Sequence, residues 1–246
     1  PMGAHIDHQL GPVTAMAIDR AVYLAFAPSN DNRVRLRSLT FGGEIDFEID
    51  AVPARHEDDW GNYARGAVEA IKSKHTLSHG IVGVTTGQIS EGGLSSSAAV
   101  GCAYLLALEA ANDLHVSAED NIELDRLIEN EYLGLRNGIL DQSAILLSRN
   151  RHLTVIDCAT VTHELIPQAD AMPDYSILVA FSGVKQALVS TGYNQRVDEC
   201  AAAAGDLLRA AGRESRALLG EVTPQEYADH RGVLNGDPAK RAEHFF

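Results

Sequence analysis

Positive charge is scarce in this chain: 20 Lys and Arg residues stand against 34 Asp and Glu among 246, a formal net charge of −14 at pH 7. A surface that neutralises successive nucleic-acid phosphates needs clustered Lys and Arg, and no such run exists, so extended nucleic-acid binding is excluded. Adhesion to an anionic membrane surface is disfavoured for the same reason. Long apolar runs are missing too: nothing approaches the ~18 residues that span a bilayer, and no charged-then-apolar leader opens the chain. Cysteine is rare, with Cys102, Cys158 and Cys200 far apart and lacking CxxC spacing. They read as free thiols in a reducing, cytoplasmic compartment. Low complexity is absent as well. With 45% hydrophobic and 22% charged residues the proportions are globular, and at ~150 residues per domain the length allows one or two domains.

Three early segments have strand character. Residues 21–27 are apolar, 33–39 alternate through Val34 and Leu36, and 44–50 alternate through Ile45, Phe47 and Ile49. The turn at 29–32 and Gly42-Gly43 separate them, which predicts an antiparallel meander. Helical spacing follows over 58–74, with Trp60, Tyr63, Ala64, Ala67, Val68 and Ile71 on one face. Residues 80–86 read as a strand and 95–111 as an apolar helix. Ser117 with Asp120 reads as an N-cap opening a helix to Leu133, its polar face carrying Glu123, Arg126 and Glu129. A short helix holding Asp141 and Gln142, strands at 152–158 and 176–181, and a helix at 194–211 complete the reading. Strands and helices mix without regular βαβ alternation, so the class is α+β. The polar stretch 167–173 is the one plausible domain boundary.

Gly92-Gly93-Leu94-Ser95-Ser96-Ser97-Ala98-Ala99 follows a strand and opens a helix. There, unpaired backbone N–H groups and the helix dipole bind phosphate, and glycine lets the backbone approach the anion. A buried helix capped by serine after a glycine turn is the competing reading. A Walker A loop is excluded, because its lysine is missing. Asp141, just past Gly138, is placed to accept a proton from a hydroxyl nucleophile or, alternatively, to cap a helix. His5 and Asp7 form a polar knot in GAHIDHQ; no downstream His/Asp pair completes a zinc site. Trp60, the one tryptophan, reads by its spacing as core.

Taken together and in order, GAHIDHQ, WGNYARGAV, GLSSSAAVG, RLIENEYLGLRNGILDQSAILLS and AFSGVKQAL resemble the GHMP small-molecule kinases. The likeness spans nearly the whole chain and is to the galactokinase branch, nearest to its members acting on galacturonate. It implies a two-lobed α+β kinase, with an N-terminal lobe (1–172) like ribosomal protein S5 domain 2 and a partial ferredoxin-like C-terminal lobe (173–246). It also implies ATP and Mg²⁺ as cofactors and a small sugar acid phosphorylated at its anomeric hydroxyl. Carried onto matching positions, Asp141 is the general base and Gly92, Gly93, Leu94, Ser95, Ser96 and Ser97 hold the triphosphate. Ser97 and Glu129 ligate Mg²⁺ through hard oxygens, and Trp60 stacks on adenine. His5, Asp7, the Gly138 backbone and Tyr193 contact the sugar. No feature of the sequence specifies an oligomeric state.

The sequence departs from that branch at Ala4, where galactokinases carry Glu against the hydroxymethyl end of the sugar. A glutamate there would repel a C6 carboxylate, so Ala favours a uronic acid. Arg136, Lys185 and His8 are the candidate cations to pair with it. Galactose, glucuronate and a catalytically idle sugar sensor are the alternatives. An Arg expected before Pro1 and a Gly-rich motif expected near the C-terminus are not in the chain, which reads as part of a longer kinase.

Overall fold

Alternation builds the first sheet. In the computed structural model, which describes residues 5–87, 93–173, 175–180 and 192–246, β3 (Arg33–Ser38) and β4 (Glu44–Glu48) point Val34, Leu36, Ile45 and Phe47 into the core. The other faces pair Arg33 with Glu48 and Arg35 with Asp46 directly across the strands. Arg33 bonds Asp46 and Glu48 at 2.7 Å each. Opposite charges placed face to face favour this register, and a one-residue slip would expose the apolar set.

The predicted meander is only half right. β2 (Val22–Pro28) does not pair with β3; β5 (Ile81–Gly87) lies between them, antiparallel to β2 and parallel to β3, giving the order β2-β5-β3-β4. A parallel pair requires a crossover, and α1 (Asn62–Lys72) supplies it. β5 carries no charged residue and fits a central position. Gly83 admits β2 closely, since a Cβ there would lie 2.5 Å from the Ala25 carbonyl oxygen.

α1, α2 (Ser96–Ala111) and α3 (Ala118–Leu127) share one core with this sheet, centred on Leu36, Val68, Ile71, Tyr104, Leu105 and Leu124. Ser117 caps α3 by accepting from the Asp120 N–H at 3.0 Å. The predicted helix to Leu133 instead changes at Ile128 into a π-turn, Ile128–Tyr132. Such wide turns recur at functional sites. This one also removes Glu129 from the expected polar face: Arg126 and Glu123 pair with each other in partial solvent contact, whereas Glu129 is 1% exposed.

α4 (Leu140–Leu147) packs on a second, antiparallel sheet of β1 (Val13–Ala15), β6 (His152–Asp157) and β7 (Thr162–Pro167), in the order β1-β6-β7. β1 and β7 are too short or too polar to stand out in the sequence. The strand expected at 176–181 is not formed over 176–180, and Phe181 lies outside the described residues. α5 (Tyr193–Ala210), α6 (Pro224–His230) and α7 (Gly236–Phe245) follow, and residues of this region make a separate core of Cys200, Ala203, Ala204, Leu207, Leu219, Val222, Leu234 and Ala242. Cys102, Cys158 and Cys200 are all buried and free, and among the described residues no helix is long and apolar enough to cross a membrane.

Gly80 sets the entry to β5: a Cβ there would lie 2.1 Å from the Arg33 carbonyl oxygen. Backbone cannot yield as a side-chain tip does, so Gly80→Ala is expected to cost about 2 kcal/mol, or roughly 4–8 °C of melting temperature. Thermal melts of the two proteins check this, and an unchanged midpoint would show that the strand junction is pliable.

Candidate active site

A 3-10 turn, Asp7–Gln9, brings the N-terminal segment against the start of α4. The Asp7 carboxylate is buried and accepts the Leu140 N–H at 3.0 Å, 133 residues away. That N–H is one of the unpaired donors of a helix start, so Asp7 caps α4 from a distance. Gly138 makes the approach possible: a Cβ there would lie 2.3 Å from Asp7 Oδ2 and 2.5 Å from the His8 nitrogen. Gln142 then donates to the Gly138 carbonyl at 3.0 Å and fixes the turn.

With Asp7 in the capping role, Asp141 is not needed as a cap. Its Oδ1 instead accepts the Ser95 hydroxyl at 2.7 Å. Burial raises the Asp141 pKa, the Ser95 hydroxyl opposes the rise, and the negative charge of Asp7 adds to it. A carboxylate so placed holds a proton more readily than a surface aspartate.

The same hydrogen bond answers the question about the serine loop. Ser95 immediately precedes α2, yet its side chain makes no cap bond to that helix. The first N–H groups of α2 are left without a side-chain cap, in the arrangement that receives an anion. Ser95 is left-handed, with φ 58° and ψ 34°, and Gly93 has φ 70°. A serine in that region is unusual enough to signal a functional constraint. Gly92 lies outside the described residues; Leu94, Ser96 and Ser97 are half-buried at the helix entry.

Glu129 approaches from the π-turn. Asn137 donates its amide to Glu129 Oε2, and Oε1 is buried without a well-formed hydrogen bond. Burial raises the Glu129 pKa, while the nearby Ser97 hydroxyl and Asn137 amide lower it. Among the described residues no three His, Cys, Asp or Glu side chains gather to hold a metal by themselves. Ser97 and the unsatisfied Glu129 oxygen form a sparse, hard-oxygen set, which suits Mg²⁺ because that ion keeps most of its shell for water and phosphate.

A cavity of about 370 Å³ lies in front of Asp141, with His5, Asp7, His8, Asn137 and Tyr193 in its walls. Tyr193, the first residue of α5, places its hydroxyl 3.4 Å from His8 Nδ1. The structure therefore brings His5, Asp7, Asp141 and Tyr193 around one space, with Gly138 behind Asp7 and Ser95 bonded to Asp141. Ala4 lies outside the described residues, as does Lys185.

Trp60 is placed elsewhere: half-buried before α1, it packs against the main core and donates its indole N–H to the Gly42 carbonyl at 3.0 Å. Arg136, a candidate partner for a substrate carboxylate, is not among the residues lining the cavity. Its guanidinium is engaged by Asp198 and the Asn194 carbonyl, each at 2.8 Å.

One residue escaped the sequence reading. Asp125 is fully buried beside the Cys102 thiol, a weak donor, and it lies one helical turn before Glu129. Its spacing of four from Glu129 was the available signal, since it puts both acids on one side of the helix. Burial and then the charges of Glu129 and Asp141 push its pKa well up.

The α+β fold with two sheets thus sets a glycine-serine loop at a helix start beside buried carboxylates. Residues 62–149 match the GHMP kinases N terminal domain. The chain is 50% identical, over an alignment of 267 positions covering all of it and 63% of the relative, to galacturonokinase of Arabidopsis thaliana. It is 30% identical to galactokinase of Clostridium acetobutylicum, covering 99% of this chain and 62% of the relative. The crystal structure of Lactococcus lactis galactokinase complexed with galactose superposes with a TM-score of 0.85 at 27% identity, over 99% of this chain and 63% of that one. The mevalonate kinase of Methanococcus jannaschii, at 16% identity and a TM-score of 0.55 over 67% of this chain and 51% of that one, shares the fold. The chain belongs to the GHMP kinases. It spans a little under two thirds of the length of the curated relatives it matches.

Asp125 yields a stability prediction. A carboxyl whose folded pKa lies above its unfolded value binds its proton better in the folded chain, so stability falls as pH rises from the ordinary aspartate range through the folded value. Asp125→Asn removes that loss, and its melting temperature is expected above wild type at about pH 8, with the gap closing toward about pH 4. Melts at both pH values test it; an equal gap at each would assign the change to packing.

Proposed function

We propose that the chain is the catalytic part of an ATP-dependent sugar 1-kinase that converts galacturonate to galacturonate 1-phosphate. The observation that carries this reading is the Ser95–Asp141 bond, which leaves the α2 entry open to phosphate and seats a proton acceptor beside it. The likeness to galacturonokinase supports the choice of sugar, as does Ala4, which removes a like charge that would oppose a C6 carboxylate. Residues 1–172 are assigned as the nucleotide-binding lobe and 173–246 as the start of the second lobe, in keeping with their separate cores. The three unpaired thiols fit a cytoplasmic setting.

In this mechanism the uncapped α2 N–H groups and the loop from Gly92 to Ser97 bind the triphosphate, and Trp60 takes the adenine. His5, Asp7, the Gly138 backbone and Tyr193 orient the sugar. Asp141 accepts the proton of the anomeric hydroxyl as that oxygen attacks the γ-phosphorus and the bond to the β,γ-bridging oxygen breaks, releasing ADP, and its raised pKa suits it to hold the proton. Mg²⁺ held by Ser97 and Glu129 would offset charge on the phosphate oxygens. Ser95 positions the base, and because its hydroxyl also adjoins the loop it couples base and phosphate site in space.

ADP release with Mg²⁺ and ATP, compared across galacturonate, glucuronate and galactose, tests this reading. Galacturonate is expected to give the highest kcat/KM, and Asp141→Asn to lower it by about 10²- to 10⁴-fold, the usual range for a general base. A preference for galactose or glucuronate would replace the substrate assignment. Sugar and ATP binding without ADP release would favour a sensor.

A further inference from the structure

The sugar-acid reading requires a group that recognises the carboxylate, and the cavity walls narrow the choice. Arg136 is spent on Asp198 and Asn194. Arg241, another cavity residue, is paired with Glu199 at 2.8 Å. His8 differs from both. It sits in the turn that Asp7 staples to α4, and its ring centroid is 5.6 Å from that of Tyr193.

The hydrogen bonding of His8 is directional. Burial, reinforced by the charges of Asp7 and Asp141, pushes the Tyr193 pKa up, so the phenol keeps its proton. In the tautomer whose Nδ1 is bare, that hydroxyl, 3.4 Å away, donates to it. In a neutral imidazole only one nitrogen carries hydrogen, so it resides on Nε2. Nε2 is buried and has no acceptor among the described residues. A shielded N–H without a partner is costly to maintain, and an acceptor delivered by a ligand satisfies it. His8 is also part of the cavity wall, so a sugar in that space lies against its ring.

We propose that His8, oriented by Tyr193, is the specificity-determining residue for the sugar acid, its Nε2–H donating to the C6 carboxylate. This rests on the sugar-acid reading above. A carboxylate gains more from that donor than a hydroxymethyl group does, because a hydrogen bond to an ionised acceptor is about twice as strong as a neutral one. Arg196, which follows Tyr193 by three residues on α5 and lines the same cavity, is the competing cation.

Calorimetric binding of galacturonate and of galactose to the wild-type chain, His8→Phe and Arg196→Gln separates them. His8→Phe is expected to weaken galacturonate roughly 10- to 100-fold and to leave galactose within about twofold, as loss of one charge-assisted bond dictates. Arg196→Gln is expected to affect both sugars alike. Equal losses on the two sugars in His8→Phe, or a galacturonate-selective loss confined to Arg196→Gln, overturn the proposal. Should His8→Phe fail to fold, wild-type protein carrying ¹⁵N-histidine decides: the His8 Nε2 resonance shifts with galacturonate and not with galactose, and no shift at saturation overturns it. Failure of the underlying reading is visible without any variant, as wild-type protein that binds galactose but not galacturonate, and it removes the assignment of His8 as well.

Discussion

The hydrogen bond from the Leu140 N–H to Asp7 is the constraint on which the site depends. It joins two residues 133 positions apart, with the first sheet, its helices and the π-turn lying between them in the chain. The same 3-10 turn faces the other way through Gln9, whose side-chain oxygen accepts the Leu219 N–H at 3.1 Å. Gly220 lies so close that a Cβ would stand 2.6 Å from the Gln9 carbonyl oxygen. Three residues thereby fasten α4 on one side and the C-terminal helices on the other. Asp7, His8 and Tyr193 share a cavity because of this wedge, and neither segment alone could present them together.

Around the wedge the fold tolerates an electrostatic conflict. Asp125, Glu129 and Asp141 are each raised in pKa chiefly by burial, and neighbouring negative charge, including that of Asp7 on Glu129 and Asp141, adds to it. A protein with a net charge of −14 gains nothing in stability from three acids withdrawn from water. Their arrangement makes sense when positive charge arrives with a ligand, since a cation beside Glu129 lowers the cost of the whole group. Structure and function oppose each other here, as they do wherever a site must hold charge before its partner binds.

Local chemistry was legible in the sequence wherever it acts over short range. The alternation of Val34 and Leu36, the Ser117 cap and the glycine-serine helix entry all follow from neighbours within a few residues. The α+β class and the family were legible for the same reason, carried by contiguous motifs. What the sequence hid was long-range. β5 inserts between β2 and β3 because a helical crossover is required, and strand order along the chain gives no sign of it. Glu129 looked like part of a solvated face because the helix period was assumed to continue, whereas the π-turn rotates it inward. Arg136 gave no sign in the sequence of its pairing with Asp198, 62 residues away.

The choice made by Ser95 links the two halves of the chemistry. A serine before a helix ordinarily spends its hydroxyl on the helix, and that would both close the anion site and leave Asp141 without its donor. The left-handed backbone of Ser95 turns the hydroxyl to Asp141 instead. One strained residue thus keeps the α2 donors open and positions the carboxylate beside them. In the proposed function an anion on α2 would draw on N–H groups that Ser95 does not cap, and the carboxylate proposed as base stands adjacent because the same side chain bonds it instead. The loop and Asp141 are in that sense joined through one side chain, and the Ser95–Asp141 bond would be lost if Ser95 returned to capping.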